Sequence, residues 1–517
     1  MYRVRAEEAQ YPLPFPQRLE YNAPVHGTWN IVHISMLVPE SHSIYVCSDN
    51  CMRGVVMTAA EMGCQDRFSC VTLSEMDVMT DNLETITIEG AADVIEHLEK
   101  RPKIIFLFLV CLHIFVSSDE EYILKKLRER YPDICFVRCY MDCVRQKTGP
   151  TPDMKLRGFE YEPVLPREKV PGRVNVLGCD LPYAPDSELI RHLRECGCDP
   201  LQLQDCGTYE EYQRLGEAQL NICTYMNAQS GIGELSERLD CGYLYLPPAV
   251  DYEEIREEYR SLHAALKKIG AAEPGSDESA TADKSETGEG QNLRESWFAA
   301  QESLCEAALG HLKERLSGLP VAIDYTCHQR PLGIAKLLLA HGIRVKTVYL
   351  DGILPEEEPA LDWLREHAPQ MELIATMRPQ MIRRDAVRDA DGRGVSAAAG
   401  AEPAAAGEMK GPSDGRTCIR VLALGQKAAW FEQTPYFVNM IESGGLWGYE
   451  GIRGLCRLME EALGEAKDLR DIVPRKGMGW PSLCDVPSRQ ADADPDRSVR
   501  RRPEQDRAEN VTGGQRA

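Results

Sequence analysis

The run Ile-Ile-Phe-Leu-Phe-Leu-Val at 104–110 constrains this chain more than any other feature. Even extended through Val116, the stretch falls short of the ~20 apolar residues that a spanning helix needs. It shows no polar alternation that would leave one face in water. It therefore reads as a strand (Lys103–Val110) buried on both faces of a parallel sheet. Such a strand requires helical crossovers on either side of the sheet, and the flanking sequence supplies them. Asp81–Lys100 and Asp119–Tyr131 read as helices, with a further strand at Ile134–Tyr140. Upstream, Ser43–Val46 and Ser69–Leu73 read as strands around a helix Met52–Gly63 that Gly63 can cap.

The alternation continues. Strands are expected at Arg173–Leu177, Pro200–Gln204, Leu220–Thr224 and Gly242–Leu246, with helices at Asp186–Cys196, Thr208–Leu215 and Gly231–Leu239. A long helix Leu293–Leu316 leads into strands at Val321–Asp324, Val345–Leu350, Glu372–Thr376 and Ile419–Leu424. Helices are expected at Pro331–His341, Glu356–His367 and Gly451–Ala466. The fold class is α/β, with three Rossmann-like, doubly wound parallel sheets. The expected domains are 20–165, 166–270 and 293–466, and the two later units look alike in layout. Residues 271–292 are small and acidic and read as a disordered linker; 384–416 read as a mobile insertion and 467–517 as a disordered tail. Residues 1–20 read as an irregular arm, because Pro12, Pro14 and Pro16 oppose regular hydrogen bonding.

Charge narrows the function. With 59 Lys and Arg against 81 Asp and Glu, the formal charge is −22. A surface of that sign repels phosphate backbones, so no nucleic-acid partner is expected. No membrane span is expected either, and the Glu-containing start lacks the apolar core of a signal peptide, so the cytoplasm is the expected location. Cysteine is abundant, at 19, and 14 of these lie at or before Cys241. In a large chain without a leader, metal binding, redox chemistry or buried thiols explain such numbers better than disulfides.

Cys47 and Cys51 stand where a strand passes into a helix, and Cys111 follows the buried strand. Ligands of parallel sheets gather at the carboxyl ends of strands, so these thiols can meet on one sheet edge, as soft ligands for an iron–sulfur cluster. The alternative is a set of small buried side chains. His113 would share the strand's face if the strand continued, and otherwise reads as a satisfied core histidine. Cys135, Cys139 and Cys143 are either a second metal site or core thiols; Cys196, Cys198, Cys206 and Cys241 read as structural. The sequence holds no G-x-x-x-x-G-K-[ST], no G-x-G-x-x-G after a strand, no H-E-x-x-H and no G-x-S-x-G. The chain is thus expected to bind no nucleotide by itself. Gly231-Ile232-Gly233 opens a helix and is too short a signal to assign.

Several segments together resemble the nitrogenase component 1 type oxidoreductases, a family that includes nitrogenase catalytic subunits, a cofactor scaffold and light-independent protochlorophyllide reductases. These are V-N-V-L-G at 174–178, T-Y-E-E-Y-Q-R-L-G-E-A-Q-L-N-I at 208–222, G-Y-L-Y-L-P-P at 242–248, P-V-A-I-D at 320–324 and G-Y-E-G-I at 448–452. The resemblance runs from about 24 to 465, apart from the insertions. The family carries three N-terminal cysteines per subunit, with clusters at a subunit interface. Cys51, closing C-S-D-N-C, matches the second and Cys111 the third; His26, in H-G-T-W, stands where the first would be. The resemblance therefore implies Cys51 and Cys111 as cluster ligands, completed by Cys47 or by His26, with Cys47 preferred.

The same resemblance implies an iron–sulfur oxidoreductase with a 4Fe–4S cluster in place of the larger eight-iron one. It would receive electrons from a separate ATP-dependent iron–sulfur reductase, pair with a homologous or identical subunit, and reduce a small-molecule substrate that the sequence leaves unnamed. No match to the molybdenum-cofactor ligands is found, so nitrogen fixation is not implied. The alternative on the same fold is a metallocluster scaffold or a cluster-less binding protein.

Overall fold

The computed structural model describes residues 2–16, 31–49, 51–52, 55–56, 59, 64–80, 82–141, 152–271, 289–378, 381 and 421–467. His26, Cys143, most of the helix expected at 52–63, the insertion 384–416, most of 271–292 and the tail beyond 467 lie outside the described residues. Within them the chain forms three β-sheets. The first strand, β1 (Arg3–Arg5), belongs to the third sheet.

The first sheet contains β2 (Ser41–Cys47), β3 (Phe68–Thr72), β4 (Ile104–Val110) and β5 (Cys135–Met141), in the order β3-β2-β4-β5. All pairings are parallel. Every residue of β4 is buried, as the apolar run requires. Ile105, Leu107 and Leu109 pack on Leu83, Ala91, Ile95, Ile123 and Leu127 of the helices Leu83–His97 and Glu120–Arg130. Phe106, Phe108 and Val110 face the other way, into the core that also holds Ile31, Val32 and Ile34 of the helix Ile31–Leu37 and Leu156 of Pro152–Phe159. Tyr45 stacks on Phe108 with ring centroids 4.2 Å apart. Fully burying one such side chain contributes about 1.5–3 kcal/mol, so β4 anchors two layers at once.

The second sheet, β6 (Arg173–Leu177), β7 (Asp199–Leu201), β8 (Leu220–Cys223) and β9 (Gly242–Tyr245), has the order β7-β6-β8-β9 and is also parallel. In the third, β10 (Val321–Asp324), β11 (Val345–Tyr349), β12 (Glu372–Ile374), β13 (Leu422–Leu424) and β14 (Phe437–Val438) give the order β1-β12-β11-β10-β13-β14. The sheets that share a strand order are thus the first and second, not the second and third. The expected irregular arm is partly regular: β1 pairs antiparallel with β12. Its prolines come after the strand, and their carbonyls still accept hydrogen bonds, Pro12 from the Ile353 amide at 2.9 Å and Pro16 from Arg378 at 2.9 Å. The long helix starts at Glu289, earlier than expected. Among the described residues no helix is long and apolar enough to cross a membrane.

Gly231 has a steric role. A Cβ there would collide with the Gly158 Cα, so the helices Pro152–Phe159 and Gln229–Leu239 touch backbone to backbone. Gly231→Ala should lower the unfolding free energy by about 1–3 kcal/mol; an unchanged urea midpoint would contradict this packing. His42, buried beside Ser69 with its Nε2 2.8 Å from the hydroxyl, is pushed down to about 4, by burial first and by Arg67 second. Between pH 6.5 and 4 the unfolded chain therefore binds a proton that the folded chain refuses. The His42 contribution, about 3 kcal/mol, is complete above pH 6.5 and is lost as pH falls towards 4. Urea titrations at pH 7 and pH 5 should show a smaller acid loss in His42→Asn, and parallel losses would refute the assignment.

Candidate functional site

Where the strand order of a parallel sheet reverses, adjacent connections leave on opposite faces and a crevice opens at the carboxyl ends. The reversals lie between β2 and β4, β6 and β8, and β10 and β13. Each is lined with reactive or charged side chains.

At the first reversal, Cys47 is the last residue of β2, and Cys111 follows β4 as the first residue of the helix Cys111–Phe115. Val46 pairs with Leu109, so the two chains leave the sheet side by side. Cys47 is fully buried, and its thiol is pushed up to about 12, by burial first and then by Cys70 and Cys51. Cys51 is exposed; its amide bonds the Ser48 carbonyl at 3.0 Å, and the Ser48 hydroxyl lies 3.6 Å from its sulfur. Cys111 is partly buried. The three thiols come from three local elements and do not gather at single-ion distance. Thiolates are the ligand type of iron–sulfur clusters, so the chemistry of this donor set fits one.

Strand β4 stops at Val110, so His113 does not continue its face. It lies inside the core, with Nε2 3.1 Å from the Thr87 hydroxyl and Nδ1 accepting the Val110 amide at 3.3 Å, and burial pushes it down to about 4. It is a satisfied core histidine. Cys135 and Cys139 both lie on β5, where burial raises their thiols.

At the second reversal stands a charge network with little local signature in the sequence. Arg157, fully buried, lies 3.2 Å from Asp153, 3.0 Å from Asp180 and 2.9 Å from Glu442. It also donates to the Gly178 carbonyl just past β6 at 2.5 Å and covers the Tyr225 ring just past β8, 4.5 Å from its centroid. Burial, then the Asp180 carboxylate, pushes the Glu442 carboxyl up to about 8. Glu442 and Ser443 both have positive φ, 49° and 67°, a conformation that costs a non-glycine residue energy and persists only when neighbours enforce it. Here the Glu442 and Ser443 amides bond the Thr326 and Cys327 carbonyls, at 3.0 and 2.9 Å.

The third reversal holds Asp324 at the end of β10. Its carboxylate accepts the Thr326 and Ala428 amides, at 2.8 and 2.7 Å. A Cβ on Gly425, at φ +98°, would collide with that carboxylate, so only glycine admits it. Lys427 reaches the Tyr325 hydroxyl at 2.6 Å and the Thr376 hydroxyl at 3.3 Å. Burial opposes its charge, but Tyr325 and Asp351 outweigh burial and raise it. Gln329 joins the second and third reversals, accepting the Met226 amide at 3.1 Å and donating to the Thr224 carbonyl at 2.9 Å. Both buried cations already face carboxylates or hydroxyls, so these networks fix loops.

The only sequence signal for the Arg157 network is the Asp153/Arg157 spacing of one helical turn. Asp180 and Glu442 are distant in sequence and carry none. Cys198, Cys206 and Cys241 are raised by burial, as expected of core thiols. Cys196 differs, because two histidines stand beside it.

The family model for "Nitrogenase component 1 type Oxidoreductase" matches residues 24–390. The chain is similar in fold to the solved structure "Nitrogenase Cp1 at pH 6.5", with 11% identity, 87% of this chain and 94% of that chain covered, and a TM-score of 0.56. It is also similar to "Nitrogenase Cp1 at pH 5", with 12% identity, 89% and 93% covered, and a TM-score of 0.51. No curated protein matches it by sequence. On the family match and the three α/β sheets, the chain belongs to the nitrogenase component 1 type oxidoreductase family.

Proposed function

We propose that this chain is an iron–sulfur oxidoreductase that holds a 4Fe–4S cluster through Cys47, Cys51 and Cys111 and reduces a small-molecule substrate. Membership of the family implies metal–sulfur clusters and a partner reductase. The observation that supports the reading most is that Cys47 ends β2 and Cys111 directly follows the neighbouring strand β4, with Cys51 in the helical segment after β2. When bound, such a cluster supplies one-electron transfer at a potential set by its ligands, hydrogen bonds and exposure.

The chain's own residues would do the rest. Cys47 holds the inner side of the site away from water, and exposed Cys51 brings the outer side to the surface, where a homologous or identical subunit can complete it. The Arg157 and Lys427 networks keep the loops of the second and third sheets in register. Electrons would come from a separate ATP-dependent reductase, because the sequence offers no phosphate-binding loop. The same reading divides the chain into domains at 20–165, 166–270 and 293–466 and assigns it to the cytoplasm.

Anaerobic purification followed by iron and acid-labile sulfide analysis and EPR tests the proposal. About four irons per cluster are expected, lost in Cys51→Ala and in Cys111→Ala. Loss in Cys47→Ser but not in His26→Ala would assign the third ligand to Cys47, and the reverse pattern to His26. Iron retained in both alanine variants, or absent from every wild-type preparation, would refute the proposal.

A further inference from the structure

Two helices meet away from the sheet reversals. His192 lies in the last turn of the helix Glu188–Glu195, and Cys196 is the capping residue at its end. A spacing of four residues puts both on one face, one turn apart. His263 comes from the helix Tyr252–Lys268, which packs across the first. The two Nε2 atoms are 3.2 Å apart, and the Cys196 sulfur is 3.9 Å from the His192 Nε2. Among the described residues, His192, Cys196 and His263 form a set whose ligand atoms all lie within 4.8 Å of one another.

We propose that these three side chains bind a borderline-soft divalent cation of the Zn²⁺ class. Two nitrogens and one thiolate are ligands that Zn²⁺ selects. Tetrahedral bonds of about 2.0–2.1 Å to nitrogen hold two imidazole nitrogens about 3.3 Å apart, close to the separation seen here. The rings are set almost perpendicular, at 84°, with their centroids 4.9 Å apart. The site lies at the carboxyl end of a helix, where the backbone dipole favours a cation. Cys196 is fully buried and the histidines are partly so, giving an ion an inner wall and a way in.

The surroundings hold the geometry without the ion. The Tyr259 ring meets His192 edge-on at 5.1 Å, and its hydroxyl donates to Glu188 at 2.5 Å. Trp447 and Phe298 pack on the same ring, at 4.9 and 5.9 Å. On binding, the Cys196 thiol loses its proton to solvent and the two imidazoles remain neutral. Three protein ligands leave a fourth position for water. The ion would brace the helix Glu188–Glu195 against Tyr252–Lys268, and it is independent of the thiols of the first sheet.

The test uses the full chain, titrated with Co²⁺ alone and then with Zn²⁺. Wild type should take up one Co²⁺ with a thiolate charge-transfer band and intense visible bands of tetrahedral symmetry, displaced by Zn²⁺. Cys51→Ser should behave as wild type, which separates this site from the proposed cluster site. Loss of a supporting residue alone weakens a metal site about 10–100-fold, so His263→Asn should weaken binding at least tenfold and Cys196→Ser should abolish the charge-transfer band. If Cys196→Ser does not fold, the partly exposed His263→Asn carries the test. No uptake by wild type, or unchanged affinity and spectrum in His263→Asn, would overturn the proposal.

Discussion

Arg157 is the interaction on which the arrangement of the second and third sheets depends. Removing a guanidinium from water is costly, and only close carboxylates and satisfied donors repay it. Here the compensation comes from different stretches: Asp153 from its own helix, Asp180 and the Gly178 carbonyl from the turn after β6, and Glu442 from the turn after β14. No one of these segments satisfies the charge alone. The network therefore forms only when all are in place, and it holds Glu442 and Ser443 in an otherwise unfavourable backbone conformation. Gln329 extends the same logic to the turn after β8.

Each sheet uses its strand-order reversal differently. The first presents thiols, the second a caged guanidinium, the third a carboxylate gripped by amides beside a buried lysine. One backbone geometry thus creates three crevices, and the side chains decide what each does. In the second and third, opposite charges or a charge and hydroxyls already meet within the protein.

Much of this was legible in the sequence where the signal was local. The apolar run of β4 announced its burial on both faces, and the short runs that begin at Arg173 and Val321 announced parallel strands. Local signals failed where partners are remote. Strand β1 owes its existence to β12, which its own residues do not hint at. Likewise His113 turned inward because the backbone coils at Cys111, and Cys196 and His192 gain His263 from a helix some seventy residues on, as the separation of 71 between His192 and His263 shows. The thiol edge was legible because strand ends can be read from patterning. The Arg157 cage was not, because charge pairing across a fold leaves no periodicity.

The pairing of β1 with β12 closes a very large ring. Arg3 and Glu372 are 369 residues apart, and the whole of the first two sheets lies between them. Closure entropy rises only logarithmically, about 0.6 kcal/mol per doubling of length, so a few edge hydrogen bonds and buried Val4 and Ala6 suffice to hold the ring once it forms. Kinetically the position is different. Strand β1 is made well before β12, so its edge groups wait for a sheet partner until β12 follows. The ring thus couples completion of the third sheet to strands that follow both of the other sheets along the chain.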